Sequence, residues 1–126
     1  MENKEEYIKY RIEKSRMVLD DARLLISNKR WISAMNRLYY ASFYAVHALL
    51  LKHNIETHTH NGTKTKFFQE FIKTGIIDKV FGELYTDLFV WRQEVDYSDF
   101  AEIKRDKVIP LADEVNSFID LIEKLL

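Results

Sequence analysis

The sequence predicts an all-α fold, an antiparallel up-and-down bundle of four long helices plus one short helix. Three observations predict it. Only three glycines and one proline occur in 126 residues, so the chain has few places to turn sharply and long helices are favoured over many short strands. Apolar residues recur at intervals of three and four over long stretches, the period of a helix. No stretch alternates apolar and polar residues for long enough to mark a strand.

The elements follow in order. Residues 3–27 place Tyr7, Tyr10, Met17, Val18, Leu24 and Leu25 at near-helical spacing among charges, which predicts a first helix ended by Ser27-Asn28. A second helix should run from Lys29 or Trp31 to Lys52. Its stripe holds Trp31, Met35, Leu38, Ser42, Ala45 and Leu49, widened by Tyr39, Val46 and Leu50. Small residues at Ala34, Ala41, Ala45 and Ala48 let neighbouring helices approach closely.

Residues 53–61, HNIETHTHN, lack periodicity and read as a loop. Gly62 or Thr63 then opens the short helix through Phe67, Phe68, Phe71 and Ile72, and Thr74-Gly75 stops it. The fourth helix is expected from Ile76, with Val80, Leu84, Leu88, Trp91 and Val95 on one face. Gly82 within it costs up to about 1 kcal/mol relative to alanine, which suggests close packing. The segment DYSDF breaks the pattern. A last helix is expected from Ala101 to Leu126, with Pro110 near a bend or restart and a stripe of Val108, Leu111, Val115, Phe118, Ile119 and Ile122.

Length and composition bound the function. One domain spanning residues 1–126 is expected. With 47% hydrophobic and 31% charged residues the chain has the composition of a soluble protein, and it has no cysteine. That excludes disulfides, thiolate metal sites and a cysteine nucleophile. No run reaches the roughly 18 apolar residues of a membrane span, so a cytoplasmic protein is expected. The net charge of −1 hides an asymmetry: residues 1–81 hold 14 lysines and arginines against 9 acids, and residues 82–126 hold 5 against 11. A basic front suits phosphate and an acidic back suits a basic partner, although helices also carry such bias by drift.

Chemistry-bearing residues concentrate in a few places. In NRLYYASFYAVHALL, residues 36–50, Asn36 and Arg37 share a helix face with Tyr40 at spacings of four and three. This is either a polar edge of the bundle or a wall of a site. In WRQEVDY, residues 91–97, Arg92 and Asp96 are four apart and suit an intrahelical ion pair. Alternatively Arg37 and Arg92 hold a phosphate through their planar, bidentate guanidinium groups, with Asp96 orienting one of them or acting as an acid–base group. His58 and His60 with Glu56 lack a third ligand at fixed spacing, so no metal is expected. His60, just before Gly62, is a loop imidazole able to turn toward the bundle, whereas His47 reads as structural. No glycine-rich phosphate loop, HExxH or GxSxG occurs. No helix carries the dense Lys/Arg face that groove binding favours.

Taken together, ISAMNRLYYASFYAVHALL (32–50), THNGTKTKFFQEFIKTG (59–75) and LFVWRQEVDYSDF (88–100), in this order and spacing, resemble the HEPN superfamily, most closely its free-standing microbial branch. The resemblance covers about residues 7–125. It implies an antiparallel bundle that often dimerises around a cleft at the dimer interface. Many relatives are ribonucleases, often toxins, encoded beside a small nucleotidyltransferase that acts as antitoxin. Their hallmark is an arginine followed after four to six residues by a histidine. Arg92 matches the arginine, but Tyr97, Ser98 and Asp99 stand where the histidine would fall, and the local pattern is Arg92, Asp96, Tyr97.

The departure matters, because a histidine titrates near neutral pH and a tyrosine, near 10, is a poor base. His60 is the substitute that the sequence offers, with Arg37 and Arg92 holding phosphate. Three expectations follow. The first is a nucleotide-, RNA- or partner-binding component of a toxin–antitoxin-like pair with a nucleotidyltransferase, with Asn36, Arg37, Tyr40 and Arg92 in the binding cleft. The second is a metal-independent RNase toxin using Arg92, Asp96, Tyr97 and His60, without a cofactor. The third is a non-catalytic helical homodimer whose polar motif only fixes helix register.

Overall fold

The computed structural model describes residues 3–97 and 105–126, with side chains described up to residue 94 and again from residue 105. Five α-helices form it: α1 (Lys4–Ser27), α2 (Trp31–Lys52), α3 (His60–Phe67), α4 (Lys79–Tyr97) and α5 (Arg105–Lys124). A single π turn, Phe68–Ile72, continues α3. There is no strand among the described residues, and no helix there is long and apolar enough to cross a membrane.

Contacts between helix ends fix the topology. The Lys4 ammonium at the start of α1 donates to the Lys52 carbonyl (3.1 Å) and to Asn54 Oδ1 (2.6 Å) at the end of α2, so these helices are antiparallel. Arg16 meets Asp120 and Glu123 while Arg23 meets Asp113, so α5 runs antiparallel to α1. Phe81 stacks on Phe118 at 5.5 Å and Lys107 lies over Trp91 at 5.6 Å, so α4 opposes α5. The four long helices therefore run up, down, up, down, as expected.

Both chain reversals around α2 use the same device. After α1, Arg30 N–H returns to the Leu25 carbonyl (2.8 Å) and Lys29 N–H to that of Ile26 (3.0 Å), with Lys29 left-handed at φ 59°. After α2, Ile55 and Asn54 repeat the pattern on Leu50 and Leu51, with Asn54 at φ 61°. These are Schellman closures, which satisfy the last helical carbonyls and send the chain back.

α2 is the central helix. From Ala34 to Leu50 its buried residues include Ala34, Met35, Leu38, Tyr39, Ala41, Ala45 and Leu49. The small residues admit α1, whose Ser15 hydroxyl donates to the Ala41 carbonyl at 2.7 Å inside the interface. The stripe expected on α5 is buried as read. Gly82 packs closely as expected: an added Cβ would lie 3.1 Å from Phe68 and 3.2 Å from Ile72.

Several boundaries and faces differ from the sequence reading. α1 does not bury Tyr7, Tyr10, Met17 or Leu24, which are 47–67% exposed. Its inner face is Ile8, Ile12, Ser15, Val18, Leu19 and Ala22, so Val18 is buried as read. Close approach to α2 selects small and branched residues there, and the larger apolar side chains are displaced outward. On α4, Val80 is exposed, and Leu84, Tyr85, Leu88 and Phe89 form the buried face. α4 starts at Lys79 rather than Ile76 because Asp78 Oδ1 accepts the Val80 N–H at 2.9 Å and caps it. α3 starts at His60, ahead of Gly62, because Thr59 is its cap. The expected break at DYSDF does not begin at Asp96, since Asp96 and Tyr97 still belong to α4; residues 98–100 and the expected start at Ala101 lie outside the described residues, as does the Val95 side chain. Pro110 stands inside α5.

Candidate functional site

Tyr39 occupies a fully buried position on α2, and a phenol in a core needs a partner for its hydroxyl. That partner is His60 Nδ1, 2.8 Å away. His60 is held there by its loop. The Thr59 hydroxyl accepts the Gly62 N–H at 2.8 Å, and the Thr57 and Thr63 hydroxyls share a hydrogen bond of 2.7 Å. A side chain at Gly62 would put its Cβ 2.9 Å from Thr59 Oγ1, so glycine there is what lets the cap close and fixes His60 as the first residue of α3.

Arg92, on α4, reaches the same place from the other side. Its guanidinium carbon lies 5.3 Å from the centre of the Tyr39 ring and 5.9 Å from that of Tyr40. The His60 ring lies 5.6 Å from Tyr39 and 5.8 Å from Tyr40. Three elements thus place an arginine and a histidine on one tyrosine pair.

The electrostatics keep Tyr39 neutral. Burial pushes the Tyr39 phenol up to about 12, and the nearby Tyr85 hydroxyl and the Arg92 charge oppose this without cancelling it. Burial and then Tyr39 hold Tyr85 well above its ordinary value. The Tyr85 hydroxyl approaches Tyr39 yet makes no hydrogen bond of good geometry. At neutral pH Tyr39 therefore keeps its proton and can donate it to His60 Nδ1, which leaves the hydrogen of a neutral imidazole on Nε2. In the opposite tautomer Nδ1–H donates to the Tyr39 oxygen and Nε2 is bare.

The residues singled out from sequence distribute unevenly. Tyr40, His60 and Arg92 come together. Asn36 is half-buried and Arg37 exposed on α2, and neither is among the described contacts that join Tyr39, Tyr40, His60 and Arg92. The backbone of Asp96 and Tyr97 continues α4 beyond Arg92, but their side chains lie outside the described residues. His47 is half-buried against Phe43 at 5.6 Å. Tyr39 and Tyr85 escaped the sequence reading as site residues. The available signal was a tyrosine rather than a phenylalanine at a core position.

Comparison with known proteins follows the same lines. The sequence pattern described as "HEPN domain" matches residues 8–125. A "UPF0332 protein" of Thermotoga maritima is 40% identical over 126 residues, 100% of this chain and 96% of the relative. "Putative toxin MJ0142" of Methanocaldococcus jannaschii is 33% identical over 91% of this chain and 78% of its own length. "Putative toxin MJ0605" of the same organism is 31% identical over 96% of this chain and 90% of its own.

Proposed function

Since this chain belongs to the HEPN family, we propose that it is a toxin-type HEPN protein that binds RNA, with Arg92 and His60 gripping the phosphate and Tyr39–Tyr40 forming the wall behind it. The placement of Arg92 and His60 on that one ring pair supports this. Guanidinium offers paired donors to a phosphate, and a neutral imidazole with its hydrogen on Nε2 adds a third. The toxin names of two relatives agree with it. A toxin needs restraint in its host cell, so a small nucleotidyltransferase antitoxin and a second copy of this chain belong to the same reading.

Cleavage is a second activity of this site, favoured by the Tyr39–His60 hydrogen bond. The RNA 2′-hydroxyl would attack the adjacent phosphorus, its proton passing to a base, while the bond to the 5′-oxygen breaks and that oxygen takes up a proton. Arg92 would stabilise the charge of the phosphorane. His60 serves as base in the tautomer whose Nε2 carries no hydrogen, and the imidazolium formed when it takes the 2′-hydroxyl proton can then give a proton to the leaving 5′-oxygen. Asp96 and Tyr97, in the last turn of α4, would orient Arg92 or share the proton transfer.

Binding of a short labelled oligoribonucleotide, in the presence of a chelator, tests the reading. Arg92→Ala should weaken binding on the order of tenfold or more, in line with one charge-assisted contact. Unchanged affinity would sink it. Product analysis on the same RNA separates cleavage from binding: equal cleavage by wild type, Arg92→Ala and His60→Ala points to a contaminant. A reading frame for a small nucleotidyltransferase beside the gene would support the partner, and its absence would count against it.

A further inference from the structure

Between Leu38 and Leu51, α2 is buried on every side except one. The residues left half-buried are Tyr40, Phe43, Tyr44, His47 and Leu51, a single line at spacings of three and four. The line begins at the Arg92–His60 site. Phe43 touches His60 at 4.8 Å and His47 at 5.6 Å, and Tyr40 meets Tyr44 at 6.2 Å. Aromatic faces therefore continue without a gap toward the far end of α2.

One turn further along α2, α1 supplies cations. Arg11 lies 5.6 Å and Lys14 4.9 Å from the centre of the Tyr44 ring, on which both converge. Tyr7 and Tyr10 flank them, about half exposed. No described ion pair reaches Arg11 or Lys14. Arg11 Nε and His47 Nδ1 are both buried and make no hydrogen bond, and each such atom normally has a partner. Two orphaned nitrogens beside a lysine, with no described carboxylate paired to them, suit an anion.

We infer that Arg11, Lys14 and His47 form a second phosphate subsite, reached by the same RNA strand whose reacting phosphate lies at Arg92, with bases stacking on Tyr44 and the exposed Tyr7 and Tyr10. This deepens the RNA-binding reading and rests on it. Tyr40 to His47 spans about 10 Å of helix, room for more than one nucleotide. Rings alternating with cations along one line form the surface that single strands favour, since every base has a face to stack and every step a phosphate to neutralise. Duplex RNA would not offer its bases to these rings.

Binding of 5′-phosphorylated oligouridylates, one a dinucleotide and one an octanucleotide, separates the two sites. Wild type should bind the octanucleotide the more tightly. The double variant Arg11→Gln/Lys14→Gln should lose that advantage, on the order of tenfold, while its dinucleotide affinity stays unchanged. Its salt dependence should fall by about 0.7 in logarithmic slope for each phosphate that is no longer neutralised. His47→Gln, whose neutral side chain still donates and accepts, should retain most of the octanucleotide affinity. Arg92→Ala should weaken both ligands.

If Arg92→Ala weakens binding but the double variant binds both lengths as wild type does, the subsite is refuted and the Arg92 reading stands. Equal binding of dinucleotide and octanucleotide by wild type also refutes the subsite. If neither oligonucleotide binds wild type, both ideas fall. A double variant that changes its oligomeric state without losing octanucleotide affinity assigns this strip to a protein interface instead.

Discussion

α1 carries its cations on two sides, and they are satisfied in opposite ways. Toward α5, Arg16 donates to Glu123 at 2.6 Å, to Asp120 and to Asn116 at 2.9 Å, and Arg23 reaches Asp113 at 3.2 Å. Burial works against the Arg16 charge, yet the two carboxylates outweigh it and raise the guanidinium further. Toward the open line of α2, the described contacts of Arg11 and Lys14 are with aromatic rings and not with carboxylates. A cation over a ring keeps its N–H groups available, whereas a cation in a carboxylate fork has used them. One helix thus holds its bundle together with one side and leaves charge unspent on the other.

Stability measurements can overturn this contrast. Arg16→Met should cost about 1 kcal/mol in denaturant unfolding, because its pairs are exposed but several act together. The loss should shrink in high salt. Arg11→Met should cost close to nothing, since it removes a buried donor that has no hydrogen bond and keeps the packing of the stem. Equal losses would mean that Arg11 is as structural as Arg16.

The two buried tyrosines refine it on a smaller scale. Tyr39→Phe removes a made hydrogen bond and should cost about 1 kcal/mol, while Tyr85→Phe removes an unmade one and should be neutral or slightly stabilising. If Tyr85→Phe proves the more costly, its hydroxyl has a partner and the contrast fails.

The smallest effect concerns pH. Burial first, and then the Arg11 charge, lower the His47 pKa below its ordinary 6.5. The folded state then takes up a proton less readily than the unfolded chain, so stability is full above about pH 6.5 and declines as pH falls below it. His47→Gln should flatten part of that decline in unfolding curves recorded across this range. An unaltered pH profile would show that His47 titrates as it does in the unfolded chain.

The legible parts of the sequence were those where burial is broad. α2 and α5 announce themselves because long runs of apolar residues repeat with helical period, and small shifts in register leave the helix assignment unchanged. α1 misled because tyrosine and methionine look apolar in a sequence, while its true contact face depends on Ser15 and Ala22, which look neutral. For the candidate site, the sequence put Tyr40 and Arg92 in one cleft and offered His60 beside Arg92. Their common neighbour, Tyr39, was hidden because a core tyrosine reads like any large apolar residue until its hydroxyl is followed to Nδ1. Arg37 looked equivalent to Arg92 by residue type, yet it is exposed and enters none of the described contacts around Tyr39. That is decided by packing around α2 and by nothing in the local spacing.

Lys4 adds a consequence of its own. By closing on the Lys52 carbonyl and Asn54 Oδ1 it clasps the first turn of α1 to the last turn of α2, with the Ser15–Ala41 bond as a second rivet further along. Fraying at either helix end is therefore shared between them. Amide exchange in the last turns of α2 should be slow only while Lys4 is in place. Any fusion or trimming at the amino terminus that frees it would let the α2 end open toward His47.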